Sequence, residues 1–213
     1  LYNTEARQKQ TFTPIKAGEI GLYACGITVY DYCHIGHARV MVCFDVITRF
    51  LRSQGWNVNY VRNITDVDDK TIRDSQAQGL SLNEFTATYK KAFFEDLNTL
   101  KVEPAEHYPA ATDYIAEMIT MIETLIEKGF AYAADNGDVY YDITRFPHYG
   151  RLAHQDLESL QAGHRVDVVA AKRNPVDFVL WKLAKPNEPN WPSPWGEGRP
   201  GWHIECSAMA TQY

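Results

Sequence analysis

Three things are scarce in this 213-residue chain: cysteine, an excess of basic charge, and long apolar runs. The four cysteines, Cys25, Cys33, Cys43 and Cys206, follow no framework spacing, which excludes a small scaffold stapled by disulfides. They are expected as reduced thiols of a cytoplasmic protein, with metal binding left open. Lys and Arg number 21 against 27 Asp and Glu, a net charge of −6, so bulk electrostatics do not announce a nucleic-acid binder. Any RNA contact must use a local basic patch or a part of the protein outside these residues. No apolar run reaches the length of a membrane span, the first residues carry no charged-then-apolar signal, and no membrane partner is expected. Internal repeats and low-complexity tracts are lacking too. What remains is an ordinary globular composition, 45% hydrophobic, of a length that suits one large domain or a domain with an insertion.

The most informative stretch runs from Ile20 to Arg52. Ile20 to Cys25 is a short apolar run and predicts a buried strand. Gly26 opens a turn. A helix follows, with Val40, Cys43, Phe44, Ile47, Phe50 and Leu51 at the spacing of one buried face, and Gly55 closes it as a C′ glycine. Between strand and helix stands His34-Ile35-Gly36-His37. A strand that feeds a helix N-terminus through a turn is where α/β folds hold anions, because free N–H groups and the positive end of the helix dipole converge there. The two histidines add donors for phosphate, and Gly36 lets a flat group approach the backbone. From spacing alone, a helix start with two surface histidines remains an alternative.

The rest of the chain supplies the frame. Leu1 to Gly18 predicts a short edge strand and a loop. Asn57 to Ile64 predicts a second strand, so that Ile20 to Ile64 makes a βαβ unit with a parallel pair. Thr65-Asp66-Val67-Asp68-Asp69-Lys70 then sits at the carboxyl end of that strand, where open α/β sheets bind ligands. Its aspartates could hold hydrated magnesium or a ribose; alternatively Thr65 or Asp66 caps the next helix and the other aspartates complement its dipole. Ser81-Leu82-Asn83-Glu84 is a capping box that starts a helix packed through Leu82, Phe85, Tyr89, Phe93, Leu97 and Leu100. Another helix spans Thr112 to Gly129. Phe130 to Ile143 predicts a hairpin with a type I′ turn at Asn136-Gly137. Asp156 to Gln161 predicts a short helix, Phe178 to Trp181 a buried strand, and Pro186 to Pro200 a rigid loop. The chain then reads as helical up to Tyr213, which predicts the N-terminal part of a longer protein.

Cys25-Gly26-Ile27-Thr28-Val29-Tyr30-Asp31, running through Tyr32 and Cys33 into His34-Ile35-Gly36-His37, closely resembles the signature of class I aminoacyl-tRNA synthetases in the form carried by cysteinyl-tRNA synthetases. Asn63 to Lys70 and Gly201-Trp202-His203-Ile204-Glu205-Cys206-Ser207 resemble two further segments of that family. The resemblance implies a Rossmann-like α/β nucleotide-binding fold interrupted by a connective α+β insertion. Residues 1–111 would form the first half of the catalytic domain, 112–200 the insertion, and 201–213 the start of the second half. It implies that Ile27 to His37 form the ATP-binding motif, with His34 and His37 acting on the phosphates. It also implies that Cys25 and Cys206 are zinc ligands, and that Gly26, Thr65 and Trp202 lie against the amino acid. The family completes its zinc site with a histidine and a glutamate that would lie beyond Tyr213, and its mobile lysine-rich phosphate loop is likewise outside these residues.

The activity implied is ligation of L-cysteine to tRNA(Cys). The carboxylate attacks the α-phosphate of ATP, carried with Mg2+, to give cysteinyl-adenylate and pyrophosphate; the terminal adenosine of tRNA then takes the acyl group. A monomer is expected. Cysteine and serine differ by sulfur for oxygen, which an apolar pocket separates poorly, whereas zinc with an open position selects a thiolate. Lys172-Arg173-Asn174 and Lys182 to Lys185 are candidate contacts to an RNA acceptor end; the alternative is that, like most short basic runs, they are simply solvated. Two alternatives stand beside this reading. One is the related ligase that joins cysteine to an aminosugar in mycothiol synthesis; the other is a non-catalytic paralogue. Without the family, Cys25 and Cys206 read as buried free thiols.

Overall fold

The structure, a computed structural model, describes residues 1–155 and 171–213. The helix expected over Asp156 to Gln161 lies outside the described residues. In chain order the elements are β1 (Tyr2–Asn3), β2 (Gln8–Lys9), β3 (Glu19–Ala24), α1 (Ile35–Ser53), β4 (Asn57–Arg62), α2 (Asp69–Ala77), α3 (Leu82–Thr99), α4 (Ile115–Glu127), β5 (Ala131–Ala133), β6 (Val139–Tyr141), β7 (Phe178–Leu183), β8 (Gly198–Pro200) and α5 (Ile204–Ala210). No helix among the described residues is long and apolar enough to cross a membrane. The chain divides into two units, one of residues 1–13 and 119–204, the other of residues 14–118 and 205–213.

The second unit carries the expected strand–helix–strand. β3 and β4 pair in parallel from Glu19↔Asn57 to Ala24↔Arg62. A parallel pair needs a long crossover, and α1 supplies it. Past the strands, single bridges continue the alignment at Thr28↔Thr65, and Ile64↔Ala110 adds a segment on the far side of β4. Two apolar clusters hold this unit. Ile20, Ala24, Leu51, Val58, Tyr60 and Ala105 form one; Ile27, Val29, Met41, Ile64, Phe93 and Leu97 form the other. The second cluster therefore packs the turn after β3 against α1 and α3, which fixes the approach to the His34 helix start.

The face of α1 differs from expectation. Met41, Thr48 and Leu51 are buried and Phe44 is half-buried, whereas Val40, Cys43, Ile47 and Phe50 are exposed. Apolar residues surround this helix on nearly all sides, so spacing alone does not select the buried stripe. Polar partners do. Asp45 accepts from the Glu103 amide at 2.8 Å, and Arg52 pairs with Glu103 at 2.8 Å and Glu106 at 2.6 Å. These contacts turn the 41–44–48–51 stripe onto the sheet. α3 follows its capping box, Ser81 and Glu84 satisfying each other's amides. Phe85, Phe93 and Leu97 are buried as expected, but Leu100 is the helix C-cap and is exposed.

The first unit is antiparallel. Its sheet runs β5-β6-β7-β8. Val139, Tyr140, Leu180 and Trp181 are buried in it. A buried aspartate, Asp177, ties the loops together by accepting from the Tyr132 hydroxyl at 2.7 Å and the Ile143 amide at 3.3 Å. Three expectations change here. The residues at the N-terminus form a two-strand hairpin, β1 with β2, rather than an edge strand of a larger sheet. The β5–β6 turn is not type I′: the Gly137 amide donates to the Ala134 carbonyl at 2.9 Å, and Gly137 at φ +84° has the positive φ that a type I turn followed by a left-handed glycine requires, with Asn136 on the ordinary side. The proline-rich stretch after Pro186 ends in β8 and is not all loop, because Gly198 and Arg199 find ladder partners in Leu183 and Lys182. At the other end, α5 stops at Ala210, before Tyr213.

Candidate active site

The helix start comes first. His34 is the N-cap of α1; its Nδ1 accepts from the Gly36 amide at 3.0 Å, and His37 Nδ1 accepts from the His34 amide at 3.4 Å. The His34 carbonyl takes the His37 and Ala38 amides. This corrects the expectation of free backbone N–H groups. The first-turn amides at 36–38 are consumed by His34 itself. Each ring uses Nδ1 as an acceptor, so in the neutral tautomer each carries its proton on Nε2, facing away from the backbone. The outward donors are therefore imidazole N–H groups. The rings stack at 3.9 Å with 24° between planes. Gly36 has a local role as well: a Cβ there would meet the His34 ring at 2.8 Å, so the flat group it admits is that ring. His37 is held below its ordinary pKa, first by burial, then by the positive charges of His34, Arg62 and Lys70.

The motif residues between strand and helix divide by burial. Ile27 and Val29 are core; Thr28 and Tyr30 are half-buried; Asp31 and Tyr32 are exposed. Thr28 bridges to Thr65, and Lys70 lies over the Tyr30 ring at 4.5 Å. Cys33 is half-buried, and burial and Asp96 push its thiol up to about 11.

The aspartate segment departs from expectation. Asp68, not Thr65 or Asp66, caps α2, accepting from the Lys70 amide at 2.8 Å. Asp66 is buried and fully used by protein: Lys90 Nζ lies 2.6 Å away, and the Thr112 amide and hydroxyl donate at 3.0 and 2.8 Å. It pins α3 and the short 3-10 turn Ala111–Tyr114 that precedes α4 to this loop, which removes it from any cation site.

Cys25 and Cys206, in the same unit, bring their Sγ atoms to 3.4 Å. A disulfide needs about 2.05 Å. A tetrahedral ion with Zn–S bonds near 2.3 Å sets two sulfurs roughly 3.8 Å apart. The spacing fits metal ligation, and both cysteines are free thiols in this structure. The electrostatics fit as well. The Cys206 thiol is raised by burial, then by Glu205 and Cys25, and burial lifts the Glu205 carboxyl to about 7. Tyr23 is raised by burial and by Cys206. A half-buried pocket of sulfur and carboxylate that resists negative charge is one that a divalent cation stabilises. Glu205 Oε2 is buried without a hydrogen-bond partner among the described residues.

One residue that sequence reasoning passed over links these parts. Asn63 is fully buried. Its Oδ1 accepts from the Gly26 amide at 2.8 Å, its Nδ2 donates to Thr65 Oγ1 at 3.1 Å, and Oδ1 lies 3.8 Å from Cys206 Sγ. The backbones touch too: a Cβ on Gly26 would stand 1.5 Å from the Asn63 carbonyl oxygen. The sequence offers only a weak signal, an amide side chain between Arg62 and Ile64 just past β4. The structure thus brings Cys25, Gly26, Thr65 and Cys206 together within one unit. Trp202 falls in the other unit, where it packs edge-on against Phe178 at 6.0 Å. His203, three residues before Cys206, is also in that unit, and burial lowers its pKa. Of the basic runs, Arg173 lies over the Tyr132 ring at 4.0 Å, which gives it a packing role.

Residues 11–213 match the family described as tRNA synthetases class I (C) catalytic domain. A cysteine–tRNA ligase of Legionella pneumophila (strain Paris) is 58% identical over 210 residues, covering 99% of this chain and 46% of the relative. Those of Methylobacillus flagellatus and Hahella chejuensis are 59% and 56% identical, with 100% of this chain matched in each case and 47% and 45% of the relatives. The chain spans about half the length of the curated relatives it matches. It belongs to the class I tRNA synthetases, in the family of their (C) catalytic domain.

Proposed function

We propose that the chain carries the ATP- and cysteine-binding part of a cysteine–tRNA ligase, with Cys25 and Cys206 as two ligands of a zinc ion. The observation that carries the reading is the pair of thiols 3.4 Å apart, separated by 181 residues and joined by Asn63 to the loop of Thr65. His203 adds a ring nitrogen of ligand type to the Cys206 segment along the chain. When bound, zinc supplies an open position that takes the substrate sulfur as thiolate and so discriminates against serine.

The protein's own residues position and stabilise charge. Ile27 to His37 form the nucleotide turn, in which Ile27 and Val29 anchor the backbone in the core. His34 and His37 point their Nε2–H groups at the phosphates, supplying donors where charge develops as the carboxylate attacks the α-phosphate. Gly26 and Thr65 line the amino acid, and Trp202 is a further substrate contact in this reading. Mg2+ arrives with ATP. In this reading residues 1–111 form the first half of a Rossmann-like catalytic domain, 112–200 a connective insertion, and 201–213 the start of the second half, with tRNA(Cys) as acceptor and a monomer as the working state.

Metal content by mass spectrometry on the purified full-length protein, beside a Cys25→Ser, Cys206→Ser double variant, tests the reading. About one zinc per chain is expected, lost in the variant, together with cysteine-dependent exchange of pyrophosphate into ATP. A folded, metal-free protein without exchange overturns it.

A further inference from the structure

The hydrogen bonds of Asn63 run in one direction only. The Gly26 amide is an obligate donor, so the atom it meets at 2.8 Å must be Asn63 Oδ1. That fixes the amide orientation without choice. The other end is then Nδ2, also an obligate donor, and Thr65 Oγ1 must accept from it at 3.1 Å. A hydroxyl that accepts from Asn63 keeps its own proton free. Among the described residues that proton meets no acceptor, and Thr65 is half-buried, so the hydroxyl still reaches a ligand. The Thr65 backbone cannot drift: its amide donates to the Ile27 carbonyl at 3.1 Å, and its carbonyl accepts from Val29 at 3.2 Å.

We propose that Asn63 is a positioning residue that sets the direction of the Thr65 hydroxyl, so that Thr65 donates its proton to the carboxylate of the amino-acid substrate. The inference rests on the cysteine-ligase reading and deepens it. The acceptor that a free amino acid offers is its carboxylate; its ammonium offers only donors. Reversing the Asn63 amide would reverse the hydroxyl. Asn63→Asp does so with almost no change of shape. The carboxylate keeps the bond from Gly26 and captures the Thr65 proton, which leaves Thr65 only lone pairs to present.

Calorimetric titration of the zinc-loaded, full-length protein with L-cysteine and with cysteamine, which keeps the thiol and ammonium but lacks the carboxylate, tests this. Asn63→Asp is expected to weaken L-cysteine at least tenfold and to leave cysteamine unchanged or tighter, with the zinc content retained. Thr65→Val is expected to give the same selective loss, and Thr65→Ser to restore L-cysteine binding within about twofold of wild type. Asn63→Asp placed on Thr65→Val should add nothing, because the route through the hydroxyl is already cut. A further loss in the double variant means that the new charge acts through space, and overturns the proposal. Equal weakening of both ligands, or none, overturns it too and leaves the cysteine reading standing. Wild-type protein that binds neither thiol overturns the cysteine reading, and the inference with it. Thr65→Val and Thr65→Ser carry the test should Asn63→Asp fail to fold.

Discussion

The sulfurs of Cys25 and Cys206 stand 3.4 Å apart, while Cys43 is an exposed thiol on α1. Thiol labelling separates these environments. Cys33, whose thiol is pushed up to about 11, is roughly one part in a thousand thiolate at pH 8. With iodoacetamide at that pH, peptide mass spectrometry should find Cys43 modified well before Cys33. Added zinc should slow Cys25 and leave Cys43 unchanged. Protection of Cys43 by zinc, or early labelling of Cys33, would contradict the structure.

Gly26→Ala should be among the most damaging single-methyl changes in this chain. The new Cβ would lie 1.5 Å from the Asn63 carbonyl oxygen, a backbone atom that cannot swing aside. Relief requires moving the turn after β3, at a cost of about 3 kcal/mol or more. Urea denaturation reads this as a lower midpoint. Gly21→Ala, with open space around its Cβ position, is the control and should shift the midpoint little.

Lys90→Met leaves the Asp66 carboxylate buried with only its Thr112 bonds. Removing one partner of a buried pair strands the other charge, and a loss of about 3 kcal/mol is expected in the same denaturation assay. Replacing both residues, Asp66→Asn with Lys90→Met, should recover part of it. A single variant as stable as wild type would show that the pair does not hold α3 to the loop.

Acid should weaken the protein partly through His37. Its pKa is lowered in the folded state, so the unfolded chain binds the proton more readily, and stability rises with pH across the interval between the two values. The contribution is complete above the unfolded value of about 6.5 and is lost as pH falls through the lowered folded value. His37→Asn keeps a polar side chain and removes this titration. Melting temperatures below about pH 6.5 should fall less steeply in the variant than in wild type. Parallel curves would refute the assignment.

Much of the frame was legible because its signals are local. The parallel strand pair and its crossover follow from two apolar runs around a helical stretch, and the Ser81 box announced α3 from four residues. The stripe of α1 was not legible, since Val40, Ile47 and Phe50 compete with Met41 and Leu51 in apolarity, and only the partners of Asp45 and Arg52 decide between them. β8 escaped for a similar reason: a three-residue strand among prolines exists because β7 offers it an edge. At the candidate site, the histidines were visible as a motif, but their consumption of the helix amides depends on rotamers. The family segments pointed to both thiols. Nothing in their spacing could, because 181 residues of loop closure leave no periodic trace. Asn63 was invisible as a hub, since its partners lie on both sides of the sheet turn.

The unit that holds both thiols is written in two instalments, residues 14–118 and 205–213, with residues 119–204 of the other unit encoded between them. A ribosome therefore delivers Cys25, Gly26, Asn63 and Thr65 long before it delivers Cys206. During that interval the nascent pocket owns a single sulfur, too few to retain a metal against cellular competitors. In the proposed zinc reading, metal binding waits on the emergence of one short helix. A nascent chain arrested before Cys206 would be a folded sheet and helix awaiting its second thiol.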